Sequence, residues 1–267
     1  MEMRKNMLSA LAMALALALA CAGTAGAATD ADRGLEVARE MDARDKGFGN
    51  YRMAMAMTLR DSQGAASLRQ MQGAVYETAK DGDKSLIVFQ APNDIRGTAF
   101  LTFAHGSRAD DQWLYLPAIK RTKRIASDNR MGSFMGSEFA FEDMGSQELD
   151  KYSYRLLGEE KLGEVAAFKL ERTPKTEGSG YSRQVVWVDS QRYIPVRIDY
   201  YDRKNEPLKT LVFGAYQQFK NKYWRAEKME MQNQQNGKST TIVYSGYQFQ
   251  VGVTEDYFDP QRLEHAH

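Results

Sequence analysis

Apolar and polar positions alternate with a period of two along most of this chain from residue 51 onward. The first example runs from Tyr51 to Leu59, where every second residue is Tyr, Met or Leu and the residues between are Arg, Ala or Thr. Such alternation is typical of a β-strand with one buried face. Only residues 31–45, ahead of the first strand, have apolar residues at helical spacing, and they predict one short amphipathic helix.

Strands and turns follow one another throughout the rest of the sequence. Turn signals such as Asp81-Gly82-Asp83 and Asn236-Gly237 recur about every dozen residues, which favours an antiparallel meander over βαβ units. The predicted strands are 51–59, 68–78, 85–89, 98–103, 112–116, 152–157, 166–172, 183–189, 196–201, 208–217, 223–232 and 239–248. We therefore predict a mainly β fold built on a large, strongly curved antiparallel sheet. Its concave face needs a helix, a second sheet or a ligand to cover it.

Residues 127–148 break the alternation. They are rich in Gly, Ser, Met and Phe and have no sustained period. A loop of this length within a compact domain is usually functional or disordered. Disorder is disfavoured because Phe134, Phe139 and Phe141 would gain free energy by burial. We expect short helical turns that lie over the mouth of the sheet.

The first 27 residues have the three-part layout of a secretory signal peptide. Arg4 and Lys5 supply positive charge, residues 8–21 are mostly Leu, Ala and Met, and Ala25-Gly26-Ala27 offers small residues to a signal peptidase. The apolar run is shorter than the roughly 20 residues of a membrane-spanning helix. We predict cleavage after Ala27 and an exported domain of residues 28–267. The alternative is a lipid anchor at Cys21.

The composition of the predicted mature domain narrows its chemistry. Arg4, Lys5 and Glu2 depart with the signal, so 36 basic and 35 acidic residues become 34 and 34, and no cysteine remains. A neutral chain argues against general binding of nucleic acid, and the lack of cysteine excludes disulfides and thiolate catalysis in that domain. No nucleophile-elbow, zinc-protease or phosphate-loop motif is present. We expect no enzymatic activity, no cofactor and no metal site.

An apolar stripe with three methionines lies on one face of the first predicted strand. Core packing is one interpretation of this stripe. The other is the lining of a cavity for variable apolar guests, because Met is unbranched and polarizable and packs around different shapes. The residues predicted to line such a cavity are Tyr51, Met53, Met55, Met57, Leu59, Trp113, Tyr115, Met131, Phe134, Met135, Phe139 and Phe141.

A basic run follows a strand that is apolar on both faces. Residues 113–116 are Trp, Leu, Tyr and Leu, which predicts a strand covered on both sides. The basic residues after it are Lys120, Arg121, Lys123 and Arg124. A charge run is usually only a solvated surface. The alternative is a binding site for an anionic or polar lipid head group, or for an acidic partner protein.

Three blocks of this sequence resemble the signature blocks of LolA-like outer-membrane lipoprotein-sorting proteins: residues 82–101, 110–126 and 132–144. The resemblance implies a periplasmic protein with an incomplete, strongly curved antiparallel β-barrel. It also implies a few helices that cover the concave face and an apolar cavity for acyl chains between helices and sheet. The chain is longer than the well-studied carrier of that superfamily, and no single residue here matches that carrier's lid-controlling Arg.

Three functions stay open at this point. The first, implied by the resemblance, is a carrier that shuttles a lipoprotein or lipid toward the outer membrane, with an inner-membrane exporter and an outer-membrane acceptor as partners. The second, which the resemblance also implies, is a non-enzymatic accessory subunit of an inner-membrane exporter of the resistance-nodulation-division type, docked through the basic run. The third is a periplasmic enzyme acting on lipid or glycan, which would need a clustered pair of carboxylates in a wet cleft.

Overall fold

One helix and thirteen strands make up the regular structure of the computed structural model, which describes residues 28–266. The predicted signal peptide and its cleavage site lie outside the described residues. Helix α1 spans Asp30–Asp45. The strands are β1 (Asn50–Arg60), β2 (Ala66–Tyr76), β3 (Lys84–Ala91), β4 (Ala99–Phe103), β5 (Asp111–Leu116), β6 (Arg121–Arg124), β7 (Tyr152–Leu162), β8 (Val165–Pro174), β9 (Tyr181–Asp189), β10 (Pro195–Asp202), β11 (Pro207–Phe219), β12 (Tyr223–Asn233) and β13 (Ser239–Phe249).

All thirteen strands form a single antiparallel sheet in the order β6-β5-β4-β3-β2-β1-β13-β12-β11-β10-β9-β8-β7. The first and last strands of the chain pair with each other in the middle of the sheet, from Tyr51–Phe249 to Arg60–Ser239. Strands β6 and β7 are consequently the two edges, and they do not pair with each other. The sheet therefore stays open, and the predicted mainly β fold with an incomplete barrel is confirmed.

Strand β6 is the one strand that the sequence pattern did not predict. It pairs with β5 from Leu116–Arg121 to Trp113–Arg124, and all four of its residues are exposed. Its sequence, Arg-Thr-Lys-Arg, contains no apolar residue. A strand without a buried face leaves no alternation to detect, so the basic run is in fact an edge strand.

Helix α1 packs closely against edge strand β7. It begins at Thr29, whose side chain accepts a hydrogen bond from the Asp32 amide while the Asp32 carboxylate accepts one from the Thr29 amide. Gly34 faces the strand, and a Cβ atom there would lie 2.7 Å from the backbone nitrogen of Leu156. The glycine therefore permits a helix-to-strand approach that any side chain would prevent.

The segment between β6 and β7 connects the two edges of the sheet and carries four short 3₁₀ turns. Phe134 from this segment is fully buried against the sheet, with its ring centroid 5.0 Å from that of Phe100 and 6.0 Å from that of Phe89. Phe141 joins the same cluster, 5.6 Å from Phe100. The signature blocks 82–101 and 132–144 thus meet in one aromatic core that fastens the segment to the sheet.

The convex face of the sheet has its own cover. Val253, Phe258 and Leu263 from the C-terminal segment are buried against Leu101 and Tyr115 on the outer side of β4 and β5. Leu114, the neighbour of Tyr115, belongs to the core on the concave side. The predicted burial of β5 on both faces is therefore confirmed. No helix within residues 28–266 is long and apolar enough to cross a membrane.

Candidate ligand-binding cavity

A cavity of about 1300 Å³ lies between the concave face of the sheet, helix α1 and residues 144–149. This exceeds the 300–1000 Å³ or so of an ordinary small-molecule pocket. Its wall is formed largely by inward-facing apolar side chains, because alternate residues of each strand point to the same face. These residues are Met53, Met55, Ile87, Leu170, Val186, Ile198, Leu211, Phe213, Met229, Ile242 and Tyr244 from the sheet, and Ala38 and Met41 from α1.

One end of the concave face is closed by residues 130–143, which we term the plug. The carbonyl of Phe141 accepts a hydrogen bond from Gln112 Nε2 at 2.8 Å, and the amide of Glu138 donates one to Thr240 Oγ1 at 3.0 Å. Lys209 Nζ, on β11, lies 2.8 Å from the carbonyl oxygen of Glu138 and 2.7 Å from Asp143 Oδ2. The plug is therefore tied to β5, β11 and β13, and it closes this end with buried polar contacts.

The other end of the cavity, which we term the mouth, opens to solvent. Exposed residues of the turns after α1, β2 and β11 line it, among them Lys46, Lys80, Asp81 and Lys222. The C-terminal end of α1 is held there by Glu77, whose carboxylate accepts hydrogen bonds from the amides of Gly47 and Gly49, each at 2.7 Å. The cavity thus combines an apolar interior with a polar, charged opening.

A buried cation braces the mouth between α1 and the sheet. The Arg225 side chain is only 12% exposed and pairs with Asp45 of α1. Its guanidinium lies 5.3 Å from the ring centroids of both Phe48 and Tyr51, and within 6 Å of Tyr223 and Phe249. Such cation–π contacts strengthen when they are desolvated. Arg225 therefore holds the end of α1 against β1, β12 and β13.

Asp83 is a partly buried carboxyl group at the mouth, with other acidic residues around it. Burial raises the pKa of its carboxyl group from 3.8 to about 7, and the neighbouring acidic residues Glu148, Glu77 and Asp45 act in the same direction. The mouth therefore gains negative charge as the pH rises through neutrality. The pKa of Asp83 is higher in the folded state than in the unfolded state. The protonated carboxyl group therefore stabilises the fold fully below about pH 4, and this contribution is lost as the pH rises to about 7.

The substitution Asp83→Asn is expected to raise the free energy of unfolding by roughly 1–2 kcal/mol at pH 8 and by less at pH 5, because Asn carries no charge. Urea unfolding at the two pH values measures this difference. The matched control is Asp94→Asn, which changes an exposed aspartate in the turn between β3 and β4. A stability gain that is the same at both pH values would contradict the expectation.

Four of the twelve residues predicted to line a cavity do line this one: Tyr51, Met53, Met55 and Phe139. Met57 lies on the same face of β1 but is fully buried in the core. Phe134 is likewise fully buried, and Leu59, Met135 and Phe141 pack against the same core. The methionine stripe is thus shared between the cavity and the core.

The remaining three predicted lining residues lie elsewhere. Trp113 and Tyr115 belong to the cluster on the convex face, where the Trp113 ring packs against Phe103 with centroids 5.0 Å apart. Met131 is 41% exposed. The irregular segment therefore contributes to the cavity chiefly through Phe139 and residues 143–149, including Met144 and Leu149.

The basic run lies apart from the cavity. Lys120, Arg121, Lys123 and Arg124 are all exposed, and none of them is among the residues that line the cavity. Arg124 pairs with Asp111, which also accepts hydrogen bonds from Arg108 at 3.0 Å and from His105 at 2.9 Å. Burial acts to raise the pKa of Asp111, but these hydrogen bonds outweigh it and lower the pKa to about 2. No salt-bridge partner within residues 28–266 engages the other three basic residues.

Two polar residues that the sequence analysis did not select lie in the cavity wall: Arg172 on β8 and Tyr200 on β10. Arg172 follows Phe168 and Leu170 at alternate positions of its strand, and both of these face the core. A charged residue at an inward position of an alternating strand was the signal that could have identified it. Within residues 28–266, no group of three or more His, Cys, Asp or Glu side chains is arranged to hold a metal ion.

Solved structures of three other proteins resemble this chain over most of its length. A proposed outer membrane lipoprotein-sorting protein domain from Vibrio parahaemolyticus is 48% identical, with a TM-score of 0.86, and the match covers 88% of this chain and 99% of that one. A DUF1329 family protein from Desulfovibrio piger is 32% identical, with a TM-score of 0.83 and the same two coverages. A LolA superfamily protein from Nitrosomonas europaea is 17% identical over 85% of this chain and 97% of that one, and its TM-score of 0.68 reflects a shared fold.

A family profile described as an uncharacterized protein matches residues 81–265, a range that contains all three signature blocks. None of the curated proteins matches the chain.

Proposed function

The chain belongs to the LolA-like family of outer-membrane lipoprotein-sorting proteins, and we propose that it is a periplasmic carrier that holds acyl chains of a lipoprotein or lipid in its cavity. The observation that carries this proposal is the cavity itself, about 1300 Å³ in volume, with an apolar wall and a polar mouth. We propose no enzymatic step, because the relative at 48% identity bears the name of a lipoprotein-sorting protein.

The energetics of an acyl chain in water favour such a cavity. Each buried methylene group contributes about 0.8 kcal/mol, so a long chain exposed to water costs on the order of 10 kcal/mol. Five methionines in the wall suit a guest of variable length, because their side chains repack around different shapes. They are Met41, Met53, Met55, Met144 and Met229.

The two ends of the cavity differ, and this difference determines where the cargo enters. The plug closes one end with buried contacts, so acyl chains enter through the mouth. The mouth itself opens to solvent between charged residues such as Lys46 and Lys222. We further propose export by a signal peptide cleaved after Ala27, loading from an inner-membrane exporter and delivery to an outer-membrane acceptor.

A second function is supported by the surface of β6. Arg121 and Lys123 are exposed on this edge strand, and Lys120 is exposed directly before it. None of the three has a salt-bridge partner within the described chain. They could dock an accessory subunit onto an acidic face of an exporter. In that case the cavity would not need to be occupied, so cavity occupancy distinguishes the two functions.

Lipid bound to the protein provides the direct test. We expect the mature protein, purified from the periplasm without detergent, to release acyl lipid into organic solvent, identified by mass spectrometry. Delipidated protein should then take up a fluorescent lipopeptide, measured by fluorescence titration. If no lipid co-purifies and the delipidated protein takes up no probe, the carrier function is excluded and the accessory function remains.

A further inference from the structure

A guanidinium group lies within the apolar wall of the cavity. Arg172 is only 8% exposed, and its strand neighbours on the same face are the apolar residues Phe168 and Leu170. Its Nε donates a hydrogen bond to Gln184 Oε1 at 2.6 Å, and the ring of Tyr152 lies 4.7 Å from the guanidinium carbon. These two contacts fix the orientation of the side chain.

The terminal nitrogens of Arg172 have no protein partner. Within residues 28–266, neither Nη1 nor Nη2 forms a hydrogen bond, and no carboxylate lies within salt-bridge distance. Among the described residues, the polar side-chain atoms that are fully buried and lack a hydrogen-bond partner are Thr102 Oγ1 and Gln112 Oε1. The Arg172 nitrogens therefore keep some accessible surface, and the residue is part of the cavity lining. A cation in such a position is costly unless a ligand pairs with it.

Acidic groups on the plug side of the cavity are already engaged with other residues. Asp143 binds Lys209 and the Tyr181 hydroxyl, and Asp110 pairs with Lys151. The Glu142 carboxylate instead accepts hydrogen bonds from Ser179 Oγ and the Gly180 amide. Arg130 of the plug is also a buried cation, but it donates to the carbonyls of Ser127 and Glu177 and does not line the cavity. Among the described residues, Arg172 is therefore the buried cation of the cavity wall whose charge is left for a ligand.

The Tyr200 hydroxyl adds a second donor to the same wall. Tyr200 is only 4% exposed, its ring packs 4.9 Å from that of Tyr181, and its hydroxyl forms no hydrogen bond within the described chain. Burial raises the pKa of Tyr200 well above its usual value although the charge of Arg172 acts to lower it, so the hydroxyl keeps its proton. It is therefore available to donate.

We infer that Arg172 and Tyr200 form an anion-binding site inside the cavity, and that the cargo is an amphiphile whose carboxylate or phosphate group enters the cavity together with its acyl chain. This rests on the proposed carrier function. Paired guanidinium N–H groups match the two oxygens of a carboxylate or phosphate. A wholly neutral acyl glyceride would leave both Arg172 nitrogens unpaired.

The position of Arg172 sets the orientation of this cargo. The mouth carries charges of both signs, such as Asp42, Asp45 and Glu148 beside Lys46 and Lys222, so it offers no excess of positive charge to hold an anion. Arg172 lies two residues before Pro174, the last residue of β8. Pro174 pairs with Tyr152, the first residue of β7, and β7 directly follows the segment that contains the plug. The anionic group therefore binds toward the closed end, and the acyl chain fills the methionine-lined space between it and the mouth.

Three probes with the same sixteen-carbon chain test this inference on delipidated mature protein: palmitic acid, 1-hexadecanol and palmitoyl lysophosphatidic acid. Competition against a neutral fluorescent acyl probe gives their relative affinities. We expect the wild type to bind one or both anions at least about tenfold more tightly than the alcohol. Which anion binds more tightly identifies the carboxylate or the phosphate as the natural group.

Variants separate the ionic contact from the rest of the cavity. Arg172→Met is expected to weaken anion binding by about 10- to 100-fold and to leave alcohol binding unchanged, whereas Arg172→Lys should keep part of the preference. The matched control is Arg183→Met, which removes an arginine stacked 3.4 Å over the Tyr201 ring, outside the set of residues that line the cavity. If Arg172→Met fails to fold, Arg172→Lys and Tyr200→Phe still report on the preference.

The outcomes distinguish this inference from the proposed function. Equal affinity for the three probes in the wild type, with no change in the Arg172 variants, would overturn the anion site while the carrier function stands. Binding of none of the probes by the wild type would overturn both. A preference for anions that persists in Arg172→Met would also overturn the assignment, because the charge responsible would lie elsewhere.

Discussion

Replacing Lys209 by Met is expected to lower the free energy of unfolding by about 3–5 kcal/mol. Lys209 and Asp143 are 5% and 6% exposed, and their charged atoms are 2.7 Å apart. Lys209 Nζ also donates to the carbonyl of Glu138 at 2.8 Å. Its removal leaves a buried carboxylate without a counter-charge, and Tyr181 and the Ala140 amide remain as its only partners among residues 28–266.

Urea unfolding at pH 7 measures this loss, and Lys228→Met is the matched control. Lys228 pairs with Glu230 at 3.1 Å, but both side chains are about half exposed. Exposed pairs of this kind contribute roughly 0–1 kcal/mol, since water already solvates both charges. If Lys209→Met costs no more than Lys228→Met, the plug is not anchored by this pair and another contact must close that end of the cavity.

The fold could be predicted from the sequence because the sheet is antiparallel and one of its faces is apolar. Period-two alternation located twelve of the thirteen strands, and Gly- and Asp-rich turns separated them. The four residues of β6 were not predicted to form a strand, because only their pairing with β5 makes them one and none of their side chains is buried. Likewise, nothing local indicates that β1 pairs with β13 in the middle of the sheet, because that contact joins opposite ends of the chain.

The cavity lining was predicted less completely, for a physical reason. Alternation shows which residues share a face, and Met53, Met55 and Met57 do share one. It does not show what covers that face. Met57 is fully buried in the core, whereas Met53 and Met55 also line the cavity, and Gly73 on β2 leaves room for the Met53 side chain.

The buried charged residues on the concave side were missed because the sequence does not show what each one pairs with. Arg172 and Lys209 each occupy an inward position beside apolar residues, Leu170 in one case and Leu211 in the other. A charge at such a position requires a partner inside the molecule. For Lys209 the partner is Asp143 of the plug, and for Arg172 we propose that it is the cargo.

The signature blocks have a structural role that complements the cavity. Phe89 and Phe100 belong to the first block, and Phe134 and Phe141 to the third. Their contacts attach the plug to β3 and β4. The middle block supplies β5, which provides Gln112 as a hydrogen-bond donor to the plug. The blocks therefore preserve the closed end of the cavity, whereas its wall is built mainly from β8–β13.

Introducing a carboxylate into that wall by Met229→Glu is expected to weaken binding of an acyl probe by about 30- to 100-fold. Met229 is half-buried on β12, lines the cavity and pairs with Ile242 and Phe213 on the adjacent strands. In the empty cavity water can hydrate the new carboxylate, so folding should be little affected. A bound acyl chain displaces that water, so binding requires desolvating the charge or protonating it.

Fluorescence titration of delipidated protein measures the effect, and two variants make it specific. Val243→Glu places the same charge on the residue that follows Ile242. The Val243 side chain is 44% exposed on the convex face, so this variant should leave binding unchanged. Met229→Leu keeps the wall apolar and should change affinity by less than about threefold. If Met229→Glu binds the probe as tightly as the wild type while Val243→Glu does not, the acyl chain lies on the convex face rather than in the cavity. Equal binding by all variants would place it outside both surfaces, because an acyl chain cannot pack against an ionised carboxylate without a loss of affinity.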